Sequence, residues 1–292
     1  MALTMTQPAR AAGLMVAAGL MFALVNTALQ GATMMAGASS TTVTFWQYFV
    51  ALVFFAPWIW RNRRAVLSTT QLGLHVLRVG LGAIGVQLWV LGLAHVPIWQ
   101  AIALILLSPF FVTLGAGLVL RERVTRARWG AVIIGMVGGV IILEPWSDRF
   151  QLAALLPIGA AAFWAAASVV TKHLTREDGA ATITIYLLLL LTPINFALAI
   201  GPGLALPQAA IWMVAVAGVL SAAAQFALAR AYTLADAAFL QPFDHLKLPL
   251  NVALGLAVFG FAPTGSMWLG AGIIIAASVY LLQKESAQPQ PG

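Results

Sequence analysis

Apolar runs of about twenty residues recur along the whole chain, separated only by short polar breaks. A soluble core would alternate far more with polar faces. Runs of about 18 residues or more match the hydrocarbon thickness of a bilayer. In lipid the backbone must satisfy its own hydrogen bonds, so each run is read as a helix. Ten candidate spans fall at roughly 11–33, 43–60, 72–94, 98–120, 128–145, 152–172, 180–200, 209–231, 237–260 and 266–283. Ten crossings at about 20 residues each leave only loops and tails from 292 residues. No segment is long enough for a soluble catalytic or nucleotide-binding domain.

Charge sets the orientation. Only 8% of residues are Asp, Glu, Lys or Arg. With the N-terminus inside, every Lys and Arg except Arg149, Arg78 and Lys247 falls on the cytoplasmic side, including "RNRR" at 61–64 and "RERVTRAR" at 121–128. Arg149 alone falls outside, and Arg78 and Lys247 lie within spans. This is the positive-inside pattern, so both termini are expected in the cytoplasm. The net charge of +7 sits at helix ends and does not describe a nucleic-acid surface. With no cysteine, disulfides, thiolate metal sites and thiol catalysis are excluded. No metal or cofactor is expected. "MALTMTQPAR" at the N-terminus is read as leading into a retained first span rather than as a signal peptide.

The halves carry a faint repeat. "TRARW" at 125–129 aligns with "TGSMW" at 264–268, Pro109 with Pro249, and Gln87 with Gln225. Five helices per copy is an odd number, so the second copy is inverted. The charges agree, since the loop with four Arg corresponds to "GFAPTGSM" at 260–267, which has none. The expected units are 1–146 and 147–285, with 286–292 a disordered tail. Inverted repeats mark secondary transporters, with the site near the midplane between them.

The segment "LSPFFVTLGAGLVLRERVTRARWGAVIIGMVGGVIIL" at 107–143 resembles the EamA-type proteins of the drug/metabolite transporter superfamily. Pro109, Glu122, Thr125, Gly130, Gly135 and Gly139 match that pattern, and "ALARAYTLADAAFLQP" at 227–242 resembles its second copy. Phe261 stands where the second copy would carry Glu. The chain looks most like the YddG-type exporters of aromatic amino acids. The resemblance implies an all-α integral membrane protein of ten transmembrane helices. It implies a multi-pass transporter of the bacterial inner membrane that exports small amphipathic metabolites by alternating access. Proton-coupled efflux of cationic compounds is the alternative. A small-molecule substrate, the bilayer and protons are the expected partners, and a monomer suffices.

Within the spans, "FDHLKLPLN" at 243–251 is the unusual stretch. A charge at the centre of a membrane helix costs roughly 2.5–3.5 kcal/mol on insertion scales, so Asp244, His245 and Lys247 should face a wet interior. Lys247 would meet a substrate carboxylate and Asp244 an ammonium. Asp244 or His245 would otherwise carry a coupling proton. A structural Asp244–Lys247 pair is the plainer reading. Pro109 and Pro249 are paired helix interruptions, which point to a transport site. Trp164, among alanines, either packs a helix or stacks on an aromatic substrate. Trp46, Trp89 and Trp99 are weaker pathway candidates, and Gln87 and Gln241 are the amides to examine for cavity exposure. Asn26, Gln30, Gln47, Gln225 and Asn251 are read as interhelical glue. Arg78 is read as snorkelling to the cytoplasm. Trp58, Trp60, Trp129, Trp146, Trp212 and Trp268 are assigned to the interface belts. "GLGAIG" at 80–85 lacks the strand that a dinucleotide site needs. An intramembrane enzyme is disfavoured, because there is no H-E-x-x-H and only His245 lies deep. A channel is disfavoured because no loop is long enough for a filter.

Overall fold

The computed structural model describes residues 7–118, 126–148, 150–174, 177–234, 243 and 245–286. The described residues are helical, with no strand. In chain order the helices are α1 (Gln7–Gln30), α2 (Ser40–Val66), α3 (Leu72–Leu93), α4 (Ile98–Ile105), α5 (Ser108–Leu118), α6 (Arg126–Leu143), α7 (Leu155–Leu174), α8 (Ala180–Ile200), α9 (Gln208–Leu234), α10 (Lys247–Phe259) and α11 (Gly265–Ser286). A π-helical turn, Gly31–Met35, extends α1.

Seven stretches among the described residues are long and apolar enough to cross a membrane: in α1, α2, α3, α4 with α5, α7, α8 and α9. Three shorter apolar helices follow the same pattern: Trp129–Leu143, Lys247–Phe259 and Gly265–Tyr280. Residues 119–125 and 235–242, which the sequence assigns to spans four and nine and the loop after span four, lie outside the described residues. So do Glu122, Thr125, Arg149, Gln241, Asp244 and residues 287–292. Ser286 closes α11.

Proline explains the two breaks. The fourth apolar run is not one helix, because the chain turns over Leu106–Leu107 between α4 and α5. Pro109 is then the second residue of α5, where its missing N–H has no intrahelical partner to lose. Likewise the chain turns over His245–Leu246, and Pro249 is the third residue of α10. Lys247 therefore opens a helix rather than sitting within a continuous one.

The main packing pairs are α1 with α9 and α3 with α7; α2 with α8; α6 with α11; α2 with α9 and α3 with α8; α1 with α10 and α7 with α4 and α5. This set maps onto itself when α1–α6 are exchanged with α7–α11.

Side-chain amides close the exposed ends within the bundle. Gln30 donates from Nε2 to the carbonyls of Leu93 (3.2 Å) and Val96 (2.8 Å), and its Oε1 accepts from the Ile98 N–H (3.3 Å). One buried side chain thus satisfies backbone groups left over where α3 ends and α4 begins. In hydrocarbon, with no water to substitute, that service is obligatory.

Candidate functional site

A cavity of about 450 Å³ lies between α1, α2, α3, α4, α7, α8 and α9, with Lys247 of α10 at its edge. On α3, Arg78, Gly82, Val86 and Trp89 line it. Their spacings of four, four and three residues place them on one helix face. On α7, Trp164, Ala167, Ser168 and Thr171 line it at the same kind of spacing. The α3–α7 seam therefore supplies one continuous wall.

That wall is aromatic at one end and cationic at the other. Trp89 and Trp164 approach with ring centroids 5.8 Å apart at 47°. Glycine makes the approach possible: a methyl group added at Gly85 would lie 2.5 Å from the Trp164 indole. Gly82, one turn away, has nothing within 4 Å of such a methyl group, so its missing side chain is cavity space. Two turns along α7 from Trp164, Thr171 accepts a 2.6 Å hydrogen bond from Arg78 Nε, and Arg78 Nη1 donates to the Ile183 carbonyl at 3.1 Å. Arg78, read from the sequence as snorkelling, therefore also lines the cavity. Hydroxyl and carbonyl acceptors from α7 and α8 hold the guanidinium in the cavity wall.

Apart from Lys247, the rest of the lining is apolar or neutral-polar. Phe22, Tyr48 and Phe55 add aromatic surface, and Asn26, Gln47, Ser221 and Gln225 add hydrogen-bonding groups. Asn26 donates to Asn251 Oδ1 (3.1 Å) and accepts from Trp89 Nε1 (3.3 Å), which fixes the indole. Gln47 donates to Ser221 Oγ at 2.7 Å. Lys247 Nζ lies 5.6 Å from the Phe22 ring centroid, within cation–π range. Among the described residues, no Asp or Glu lines the cavity.

Three expected pathway residues, Trp164, Lys247 and the weaker candidate Trp89, line the cavity. Four others do not. Gln87 donates to Asn195 Oδ1 at 2.9 Å, tying α3 to α8. Trp46 gives its indole N–H to the Leu204 carbonyl at 2.8 Å. Trp99 is buried in the main core. His245, half-buried, stands in the turn before α10. Asp244 and Gln241 lie outside the described residues. Sequence reading missed Arg78, Asn26, Gln47 and Gln225 as lining groups. It also missed His75, whose Nε2 lies 2.8 Å from Asp178 Oδ2. The Thr69 hydroxyl donates to the same carboxylate at 2.7 Å, and Tyr186 stacks on the imidazole at 4.5 Å. This buried cluster ties the α2–α3 connection to the α7–α8 connection, away from the cavity lining.

Apolar helices around a half-polar cavity, with paired helix breaks beside it, define a carrier for small molecules in a membrane. The profile of the EamA-like transporter family matches residues 9–144 and 151–283, and the chain belongs to that family. It is a multi-pass protein of the bacterial inner membrane and a transporter of small metabolites. A riboflavin transporter of Vibrio cholerae is 50% identical over 96% of this chain and 95% of its own. One of Rhizobium johnstonii is 50% identical over 93% of this chain and 90% of its own. An S-adenosylmethionine uptake transporter of Rickettsia prowazekii is 24% identical over 84% of each chain. A solved protein structure aligns with TM-score 0.61 at 18% identity, covering 94% of this chain and 99% of its own, a likeness of fold alone. The expected export of aromatic amino acids finds no support among these relatives.

Proposed function

We propose that this protein carries riboflavin across the bacterial inner membrane. Riboflavin joins a flat three-ring heteroaromatic to a neutral polyol chain. The observation that carries the proposal is the α3–α7 wall, with Trp89 and Trp164 5.8 Å apart beside carboxamide and hydroxyl groups. Indole faces suit a flat ring, and aromatic stacking contributes about 0.5–1.5 kcal/mol beyond area burial. Carboxamides and hydroxyls both donate and accept, as each hydroxyl of a polyol requires. The 50% identity to riboflavin transporters over nearly the whole chain supports the same substrate.

Charge separates this reading from a cationic substrate. Arg78 and Lys247 line the cavity, and no described lining residue is acidic. A sulfonium or a cationic dye would meet the like charge of Arg78, with no carboxylate among the described lining residues to offset it. A zwitterionic amino acid would lack a carboxylate partner for its ammonium among the described lining residues.

The architecture we propose is ten transmembrane helices in two inverted five-helix repeats, 1–146 and 147–285, with both termini cytoplasmic and a monomer as the working unit. The self-mapping set of helix pairs, the matched breaks before Pro109 and Pro249, and the two family-profile segments support it. Transport then proceeds by alternating access around the cavity.

Counterflow in proteoliposomes tests the substrate. Vesicles preloaded with unlabelled riboflavin should accumulate labelled riboflavin with saturation. Phenylalanine and S-adenosylmethionine should neither drive nor inhibit it. Counterflow of either compound without riboflavin counterflow would overturn the proposal.

A further inference from the structure

Arg78 is not needed to hold α3 in the membrane, since a residue there would be cheaper neutral. Among the described residues no carboxylate lies within ion-pair distance of it. Its guanidinium carries five N–H donors in a planar fork. Two are engaged, by Thr171 Oγ1 and the Ile183 carbonyl. Those two contacts come from α7 and α8 and fix the plane of the fork. The remaining donors belong to a side chain that lines the cavity.

The helix register places this fork relative to the indoles. Arg78 and Trp89 are eleven residues apart on α3, and Thr171 and Trp164 seven apart on α7. At 1.5 Å per residue these are separations of roughly 10–16 Å along the seam. Eleven and seven residues are close to whole numbers of turns, so the fork and the indoles share one face of each helix. Gly82 lies between them, and a methyl group added there would meet no atom of another element within 4 Å. The open floor runs from the aromatic pair to the cation. A fused three-ring plane reaches across such a floor, whereas a single ring does not.

We infer that Arg78 is the specificity-determining donor for the pyrimidine carbonyl edge of the flavin, whose flat rings lie along the Gly82 floor with their far end against Trp89 and Trp164. The inference rests on the flavin reading above. A planar fork fits in-plane carbonyl acceptors, as it does other planar acceptors. A site built to hydrogen-bond a substrate group rejects an analogue that lacks the partner.

Sulfur is a weak acceptor, so riboflavin, 2-thioriboflavin and 4-thioriboflavin are the probes. Their dissociation constants are measured on purified protein by quenching of tryptophan emission. The wild type should bind riboflavin about 10-fold or more tightly than at least one thio analogue. In Arg78→Met that preference should fall to within about twofold of unity, and Arg78→Lys should retain part of it. A purely structural arginine would weaken all three ligands alike and leave the preference intact, which would overturn the inference. A wild type that binds all three flavins equally overturns it without any variant, should Arg78→Met fail to fold. A wild type that binds no flavin sinks the substrate reading instead.

Discussion

The α6–α11 seam and the α3–α7 seam are built from the same small residues and do opposite things with them. At α6–α11, glycine brings backbones together. A methyl group at Gly138 would lie 2.8 Å from the Gly270 carbonyl oxygen, and one at Gly270 would lie 2.5 Å from that of Gly138. At both positions backbone is among the nearest atoms, and backbone cannot swing aside as a side chain can. At α3–α7, Gly85 seats an indole and Gly82 leaves space. Small-residue contacts are ordinary glue between membrane helices. A glycine becomes part of a site only where its missing side chain is not filled by a neighbour. That distinction lies in the packing, not in the spacing of glycines along the chain.

The largest effect should separate the two seams directly. Gly138→Val or Gly270→Val forces a branched side chain against backbone. Overpacking typically costs about 1–3 kcal/mol and occasionally more, and here the expectation is the upper end. The thermal midpoint in detergent should fall sharply and the folded yield with it. Gly82→Leu should leave that midpoint near wild type and reduce riboflavin counterflow at least tenfold. If Gly82→Leu unfolds the protein while Gly270→Val is tolerated, the contrast between the seams is wrong.

Trp164→Ala comes next. Losing one indole of the tilted pair should weaken riboflavin binding by about 1 kcal/mol, read as a roughly fivefold rise in dissociation constant. Trp164→Phe should recover most of it. An unchanged affinity in Trp164→Ala would assign the indole to packing alone.

The smallest effect concerns amides. Gln87→Leu leaves Asn195 Oδ1 buried and without the donor that Gln87 supplies. An unsatisfied buried acceptor costs about 1–3 kcal/mol, so the thermal midpoint should drop modestly with no change in riboflavin affinity. A selective loss of affinity would return Gln87 to the pathway.

The sequence carried much of the framework because lipid imposes it. Twenty-residue apolar runs have few alternatives to helices, and Pro109 and Pro249 had to stand in first turns. Trp164 and Lys247 were legible because each is an odd residue in its own apolar surroundings. The surroundings of Arg78 and Gln87 were hidden from the sequence for a shared reason. Their roles are set by partners about a hundred residues away: Thr171 and Ile183 for one, Asn195 for the other. Nothing local announces those partners. Gln225, which the sequence aligns with Gln87, lines the cavity while Gln87 does not, so even an aligned pair can divide its duties. One signal was available in the sequence: positions 78, 82, 86 and 89 share a helix face, and following that face from Arg78 leads to Trp89.

The central claim is that the α3–α7 wall is where substrate lies. The chain has no cysteine, so Gly82→Cys introduces a single thiol on that wall. The most direct measurement is the rate at which a small maleimide modifies this thiol in proteoliposomes, with and without riboflavin. The account predicts that saturating riboflavin slows modification severalfold, while phenylalanine and S-adenosylmethionine leave the rate unchanged. A rate indifferent to riboflavin, in protein that still carries out riboflavin counterflow, would place the substrate elsewhere and contradict the account.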